Sequence, residues 1–318
     1  MKYLFLALLL ATQTSHACIN IKGVTSDGDY RMVSGDSYVE TLKLRMAADP
    51  SSKLHATPGY PYEHYALALD WTDAEDEGEA EAVRLILTGE YAGAIAKLEA
   101  MEAANPGDYS TAANLGTAYE LAGNNEAALK WIREGIKRNE HSHYGTEWLH
   151  VAILETKLAM EADPAYLATR HILPVEEEKE RPLQYSLVYG GEAYSGDRLI
   201  KALYYQLGER MLFVKPADPV VADLLYTLAL VEVNARVLEP AVELLALAKE
   251  YGYPDVADID ARMARYQEMI DSTWKLEGRI VVNSIMMLVL FSLPVILLFI
   301  LGRAVYRFAV SRRVAGAG

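Results

Sequence analysis

The sequence predicts an all-α protein: a helical solenoid that follows a cleaved signal peptide and precedes one C-terminal transmembrane helix. Three observations predict this fold. A pattern of small and large residues recurs after 34 residues, an uncharged apolar run fills 280–301, and a shorter apolar run begins just after Met1. Stacked pairs of helices explain the first observation. A membrane explains the second, and export explains the third.

Residues 1–17 have the three parts of a signal peptide. Lys2 supplies the basic start, 3–11 are mainly apolar, and 15–17 (SHA) form a small-x-small cleavage signal. The apolar part is too short for a membrane span, although an uncleaved anchor is the competing interpretation. Cys18 is the only cysteine, so it forms no internal disulfide. It would be either lipidated after cleavage or a free or intermolecular thiol.

Residues 18–74 are expected to cap the solenoid, because an array of repeats leaves an apolar end that must be covered. Within this segment, 38–46 (YVETLKLRM) predicts a short helix, and 62–71 predicts the first helix of a capping unit. We interpret 27–29 (DGD) as a turn, since Arg31 stands where a calcium loop needs its third ligand.

The repeat is clearest in 75–140, where we predict two helix–turn–helix units. Turns are expected at 89–91 and 123–125, which contain glycine and asparagine. Small residues allow two helices to approach closely, and large ones fill the seam between them. The matching positions are Ala82, Leu85, Ala94 and Leu98 in the first unit and Gly116, Tyr119, Ala128 and Ile132 in the second.

The next part of the chain departs from the pattern and then returns to it. Residues 141–221 predict a degenerate repeat, in which His150 occupies a small position and prevents close packing. An irregular excursion is expected at 169–197 and an amphipathic helix at 199–213. A further repeat unit is predicted at 222–254.

The apolar run 280–301 predicts one transmembrane helix. Its 22 residues carry no charge, and they would span about 33 Å at ~1.5 Å per residue, enough for a bilayer core of ~30 Å. Residues 255–279 predict a juxtamembrane helix. The tail, 302–318, has four arginines and no acidic residue. The positive-inside rule therefore assigns the tail to the cytoplasm and the N-terminal domain to the extracytoplasmic side of the plasma (inner) membrane.

The part of the chain between Cys18 and Arg279 is strongly acidic. It contains 25 basic and 44 acidic residues, a net charge of −19. Nucleic-acid binding requires Lys and Arg to displace counterions, so we predict no nucleic-acid partner. The acidity is interpreted either as a device for solubility or as electrostatic recognition of a partner.

From the order of small and large residues in 75–140, the chain resembles the tetratricopeptide-repeat (TPR) superfamily over about 80–253. The stretches 143–161 (HYGTEWLHVAILETKLAME) and 203–226 (LYYQLGERMLFVKPADPVVADLLY) also resemble functionally uncharacterised bacterial membrane-anchored TPR proteins. The resemblance implies a solenoid whose concave face binds peptides or protein surfaces. The resemblance does not imply a catalytic activity.

Inner-helix positions of two units give a candidate partner-binding groove. Its residues are Asn114, Thr117, Glu120, Tyr226, Leu230 and Val233. Repeat domains that bind a terminal carboxylate use Lys, Arg and Asn at such positions, and only Asn114 is of that kind. We therefore expect the groove to bind an apolar or basic segment of a protein or peptide partner. Alternatively, the excursion at 169–197 or the N-terminal segment fills the groove.

The sequence predicts no enzyme, no cofactor and no metal site. It contains no GxSxG, no HExxH and no phosphate-binding glycine loop. His141, His143, His150 and Glu147 lie close together in the sequence, but no cysteine or second tight pair completes a zinc signature.

The combined pattern predicts a protein-interaction scaffold or adaptor in the cell envelope. The alternative is an accessory subunit of an envelope transporter or sensor complex that works through its transmembrane helix. The run 280–301 contains no pair of small residues spaced for close helix packing, which favours simple anchoring.

Overall fold

The computed structural model describes residues 20–34, 38–51, 77–177 and 185–315. The predicted signal peptide, Cys18 and the helix predicted at 62–71 lie outside these ranges. The chain divides into two units, Met1–Gln267 and Glu268–Gly318. Most of the described residues are helical, which confirms the predicted helical class.

The helices are α1 (Tyr38–Ala47), α2 (Glu77–Leu87), α3 (Tyr91–Ala104), α4 (Tyr109–Leu121), α5 (Asn125–Arg138), α6 (Glu147–Ala162), α7 (Tyr166–Thr169), α8 (Gly196–Phe213), α9 (Pro219–Ala235), α10 (Leu238–Glu250) and α11 (Val256–Ala315). A 3₁₀ turn, Ser142–Gly145, precedes α6. The strands are β1 (Asn20–Val24), β2 (Tyr30–Ser34), β3 (Ser186–Tyr189) and β4 (Glu192–Ser195).

The strands form two antiparallel hairpins, β1–β2 and β3–β4, which correct the all-α prediction. Gly190 and Gly191 join β3 to β4 with φ of 59° and 86°, and a two-residue hairpin turn of this kind requires positive φ at both positions. The predicted turn at 27–29 is found between β1 and β2, where Gly28 N donates to Thr25 O over 2.9 Å.

The helices predicted for 75–140 are confirmed as α2 to α5, each packed on the next. The predicted turns contain Gly89 and Gly123, with φ of 80° and 82°. Gly116 has the tightest packing of the glycines in this region, because a Cβ added there would lie 2.4 Å from Ile132 Cδ1 on the next helix. The remaining small positions of the pattern, Ala82, Ala94 and Ala128, are fully buried. Small residues therefore occupy the helix seams, as predicted.

Side chains that cap the first turn fix where several helices begin. Asp108 Oδ2 accepts from Thr111 N over 2.8 Å at the start of α4, and Asn124 Oδ1 accepts from Ala127 N at the start of α5. Asp218 caps α9 in the same way, with Pro219 as the first helical residue. Such caps satisfy amide groups that have no partner inside the helix.

The described part of the N-terminal segment packs against the helices α8 and α10. Lys43 in α1 pairs with Glu243 over 2.6 Å. Glu239 Oε2 accepts from the backbone N of Val24 over 3.0 Å. Lys215 Nζ donates to three backbone carbonyls that end α1. The predicted helix at 38–46 is confirmed as α1, and its partners come from more than 150 residues later in the chain.

The C-terminal helix α11 runs without interruption from Val256 to Ala315 and contains Pro294. The predicted segments 255–279 and 280–301 are therefore parts of one helix. It is long and apolar enough to cross a membrane. Within 280–301, Leu288 and Leu298 expose 73% and 70% of their surface.

Candidate functional site

Charged side chains from three helices meet in the interior between α4, α6 and α8. They surround a cavity of about 100 Å³. Its charged and titratable lining is Glu120, His143, Glu147, His150, Lys157, Glu209 and Arg210; its other lining is Thr117, Leu121, Tyr205, Gln206, Phe213 and Val214. The spacing of Glu147, His150 and Lys157 along α6 turns all three toward this cavity, since residues three and seven apart share one helix face.

Glu120, on α4, is the centre of the charged network. Its Oε1 accepts from Arg210 Nη1 over 2.5 Å and from Lys157 Nζ over 3.0 Å. Its Oε2 lies 2.7 Å from His150 Nε2. Burial opposes ionisation, but the charge of Arg210 and the hydrogen bond from His150 hold the pKa of Glu120 well below its usual value. The carboxylate is therefore charged and fully engaged.

His150 is buried between two carboxylates. Its Nε2 faces Glu120, and its Nδ1 lies 3.2 Å from Glu147 Oε2. A neutral imidazole has only one N–H, so both contacts are hydrogen bonds only when the ring carries two protons. Burial disfavours that charge, yet the two carboxylates outweigh it and raise the pKa of His150. In its protonated form His150 donates to both carboxylates and joins α4 to α6.

His143 contacts the same carboxylate as His150, through Glu147 Oε1. It stands in an unusual backbone turn, since His143 and Tyr144 have φ of 45° and 59°, a conformation that costs non-glycine residues on the order of 1 kcal/mol each. Burial alone would lower the pKa of His143, but the hydrogen bond to Glu147 raises it. Tyr205 packs its ring against His143 with centroids 5.3 Å apart.

One donor in the lining has no partner among the described residues. Arg210 Nε is buried and has no hydrogen-bond acceptor within the described structure. An unpaired buried polar group is costly, so Arg210 Nε marks where the cavity has unused hydrogen-bonding capacity. Glu209 lies in the same lining, and burial raises the pKa of its carboxyl group against the opposing charges of His143 and Arg45.

The six predicted groove residues separate into two places. Thr117 and Glu120 line the cavity, and Asn114, half-buried on the same helix, donates weakly to Glu79 Oε1 over 3.4 Å. The remaining residues, Tyr226, Leu230 and Val233, lie on α9 and expose 6%, 3% and 0%. They do not line the cavity.

Tyr226 contacts residues of its own chain. Its ring stacks on His171, with centroids 5.7 Å apart, and on Tyr253, with centroids 4.3 Å apart. Its hydroxyl donates to Asp258 Oδ2 over 2.7 Å. His171 belongs to the 169–197 excursion, and Asp223 anchors it to α9 over 2.7 Å. At this position the chain itself occupies the surface for which a partner was predicted.

The cavity contains four functional candidates that sequence reasoning did not identify: Lys157, Gln206, Glu209 and Arg210. Lys157 lies seven residues after His150 in the predicted degenerate repeat, and helical spacing alone could have placed it on the same face. Arg210 is 90 residues from Glu120, and no local pattern links the two. His141 is exposed and pairs with Glu140. Within the described ranges no group of three or more His, Cys, Asp or Glu residues is arranged to hold a metal ion.

Comparison with known proteins adds no family: the chain matches no protein-family model, and no curated protein matches it.

Proposed function

We propose that this chain is a membrane-tethered TPR-type scaffold or adaptor, whose helical domain lies on the extracytoplasmic side of the plasma (inner) membrane and binds a protein partner. The observation that carries the proposal is the apolar surface of α11. Between Ile280 and Leu301 the large apolar side chains that the structure describes expose from 47% to 73% of their surface. Each Å² of such surface costs about 25 cal/mol in water, so lipid is the environment that suits this stretch.

The charge distribution supports the proposed orientation. The basic residues of 302–318 follow the apolar stretch directly, and the acidic residues all precede it. Positive residues are retained on the cytoplasmic side of a span. The signal-peptide pattern of 1–17 agrees with an exported N-terminal domain.

The proposed binding role rests on the paired helices α2 to α5. Their 34-residue spacing and their buried small residues are typical of repeat arrays, which use exposed inner-helix positions to bind proteins. Asn114 and Thr117 remain half-buried on α4, and Thr117 also lines the charged cavity. These two positions are the candidate contact surface.

Membrane extraction tests the tether. The full chain should stay in the membrane pellet after alkaline carbonate, whereas a chain that ends at Arg279 should be released. Release of the full chain by carbonate would contradict the proposed span.

Photocrosslinking in cells tests partner binding. A photoreactive phenylalanine analogue at Asn114 should give a discrete crosslinked product. The matched control is the same analogue at Lys130, which is exposed on the neighbouring helix α5. Absence of a product at Asn114, or the same product at both positions, would count against a specific surface on α4.

The alternative role, an accessory subunit of an envelope transporter or sensor, is favoured by polar residues within the apolar stretch. Asn283, Ser284 and Ser292 share a shallow surface on α11, and such residues form hydrogen bonds between membrane helices. Replacing 280–301 by an unrelated span distinguishes the two roles. A scaffold keeps its partner after the exchange, and a subunit that works through its helix loses it.

A further inference from the structure

We propose that the cavity between α4, α6 and α8 binds the carboxylate group of a small monocarboxylic acid. The acid is either a free short-chain molecule or an acidic group at the end of a peptide. This site does not depend on the membrane-tethered role proposed above, and each proposal can fail without the other.

The size of the cavity limits the ligand. Its volume is about 100 Å³, roughly three times the ~30 Å³ that a water molecule occupies in the liquid. This space accommodates a carboxylate with a short alkyl chain. It does not accommodate a folded peptide or a nucleotide.

Two cationic side chains of the lining have unused donors. Arg210 Nε has no acceptor among the described residues. Lys157 has three N–H donors, and within the described residues it uses one, to Glu120. The carboxylates that contact these cations, Glu120 and Glu147, are already engaged by Arg210, Lys157 and the two histidines. A ligand that supplies an acceptor would engage the unused donors.

The charge of the lining has the sign that an anion requires. Arg210 and Lys157 are cations, and His150 becomes one through its two carboxylate contacts. Protonated His143 adds a further positive charge, and its contact with Glu147 stabilises that form. Against these stand Glu120, Glu147 and Glu209. With both histidines protonated the lining has a net charge of about +1 when all three carboxyl groups are ionised, and about +2 when Glu209 is protonated. The lining is then positive in either state of Glu209, as binding of a monoanion requires.

Glu209 contributes a donor when it carries a proton. Burial raises the pKa of this carboxyl group, and the charged groups that act on it are His143, Arg45 on α1, Glu147 and His150. A protonated carboxyl group donates a hydrogen bond to a ligand carboxylate. In its protonated form Glu209 is therefore compatible with an anion site, because it donates a hydrogen bond and carries no negative charge.

The cavity lining also contains the apolar residues Leu121, Phe213 and Val214. An alkyl chain gains free energy by contact with apolar side chains, whereas a phosphate or sulfate ion would lose hydration against them without replacement. The combination of donors and apolar residues in one lining indicates an alkyl carboxylate.

Thermal unfolding of the full chain in detergent tests the site with defined probes. Propionate is compared at constant ionic strength with propylammonium, 1-propanol and inorganic phosphate. We expect a saturable rise in Tm with propionate and no saturable rise with the other three. Equal shifts with all four probes, no shift with any, or a larger shift with phosphate would overturn the proposal.

Two variants of the lining give opposite expectations. Lys157→Gln should weaken propionate binding by about tenfold or more, because it removes a hydrogen bond from a charged group. Glu209→Gln should bind propionate at least as tightly as the native chain, because its amide still donates and has no negative charge. A cationic ligand would instead bind more weakly to Glu209→Gln, which lacks a negative charge, than to Lys157→Gln. Weaker binding of propionate by Glu209→Gln than by the native chain would therefore contradict the proposal.

The control variant is Lys137→Gln. The Lys137 side chain is 73% exposed on α5, and among the described residues it pairs with Glu134 on its own helix. It should bind propionate as the native chain does. An equal loss of binding in both lysine variants would show that general surface charge, and not the cavity, attracts the anion.

A peptide pair distinguishes the two sources of the carboxylate. A short peptide with a free terminal carboxylate is compared with its amidated form in competition with propionate. Displacement by the free acid alone assigns the site to a peptide terminus. Saturable propionate binding that neither peptide displaces assigns it to a free short-chain acid.

Discussion

Two buried glutamates, Glu120 in α4 and Glu232 in α9, have opposite surroundings. Glu120 exposes 8% of its surface and accepts hydrogen bonds from three cationic side chains. Glu232 exposes 0%, and neither of its oxygens has a hydrogen-bond partner within the described structure. Arg236 Nη1 lies 3.5 Å from Glu232 Oε1. Arg236 and Tyr204 lower the pKa of Glu232, but they do not offset its burial. One carboxylate is thus fully engaged, and the other is only weakly compensated.

The difference appears in the acidity of the two groups. Burial raises the pKa of Glu232 to about 7, whereas Arg210 and His150 overcome burial and keep the pKa of Glu120 well below its usual value. Burial is common to both residues, so the number of donors decides the charge. The donors of Glu120 come from α6 and α8, which are brought to α4 by the fold.

The largest expected effect comes from removing Arg210. Arg210→Met leaves Glu120 buried with weaker compensation, and the loss of one partner from a buried pair costs about 3–5 kcal/mol. The free energy of unfolding, measured by urea titration of the full chain in detergent, should fall by that amount. Adding Glu120→Gln to this variant should recover part of the loss. No recovery would indicate that Arg210 stabilises by packing alone.

A pH-dependent effect is expected from Glu232. Its pKa rises from 4.5 in the unfolded chain to about 7 in the folded one, so the folded state keeps the proton up to a higher pH than the unfolded chain does. This residue therefore stabilises least above pH 7, and stability is lost as the pH rises from about 4.5 to 7, by about 3 kcal/mol.

Glu232→Gln should remove that loss. The variant should be about as stable as the native chain near pH 4 and more stable by about 3 kcal/mol at pH 8. Parallel urea titrations at the two pH values measure the difference. An equal difference at both values would contradict the contrast between Glu120 and Glu232.

A smaller effect is expected at the helix seam. A Cβ at Gly116 would lie 2.4 Å from Ile132 Cδ1, whereas a Cβ at Gly93 would lie 3.6 Å from Leu85 Cδ1. Gly116→Ala should destabilise by about 1–2 kcal/mol, because crowding outweighs the gain in helix propensity. Gly93→Ala, the matched control, should be neutral or stabilise by up to about 0.5 kcal/mol. Thermal unfolding of both variants measures the difference, and equal shifts would argue against a tight seam.

The smallest effect is expected for an exposed pair. Arg133 and Glu155 connect α5 to α6, but their side chains are 52% and 46% exposed. Arg133→Gln should change the free energy of unfolding by less than about 0.5 kcal/mol. A loss as large as that of Arg210→Met would show that burial does not distinguish the two ion pairs.

The helices of 75–140 could be predicted because their signals are local. Small residues such as Gly116 recur at fixed spacing, and the turns contain Gly89 and Gly123. The hairpin β3–β4 was missed, although Gly190-Gly191 between Tyr189 and Glu192 is a recognised hairpin signal.

The candidate site could be predicted only in part. Glu120 and Thr117 follow from helix position, but Arg210 reaches Glu120 from 90 residues away. His150 was expected to hold the helices apart because of its size. In the structure it is buried and bonded to carboxylates on both sides, which gives a large polar side chain a place in the interior. The apolar run through α9 was itself a sign that Leu230 is buried on all sides.

The most direct test of the proposed membrane tether is cysteine labelling on both sides of the apolar stretch. In a Cys18→Ser background, Gly278→Cys and Gly302→Cys place single thiols where an added Cβ meets nothing within 4 Å. A membrane-impermeant maleimide should label Gly278→Cys in right-side-out vesicles and should label Gly302→Cys only after permeabilisation. Equal labelling of both positions in intact vesicles, or labelling of Gly302→Cys alone, would contradict an anchored extracytoplasmic domain.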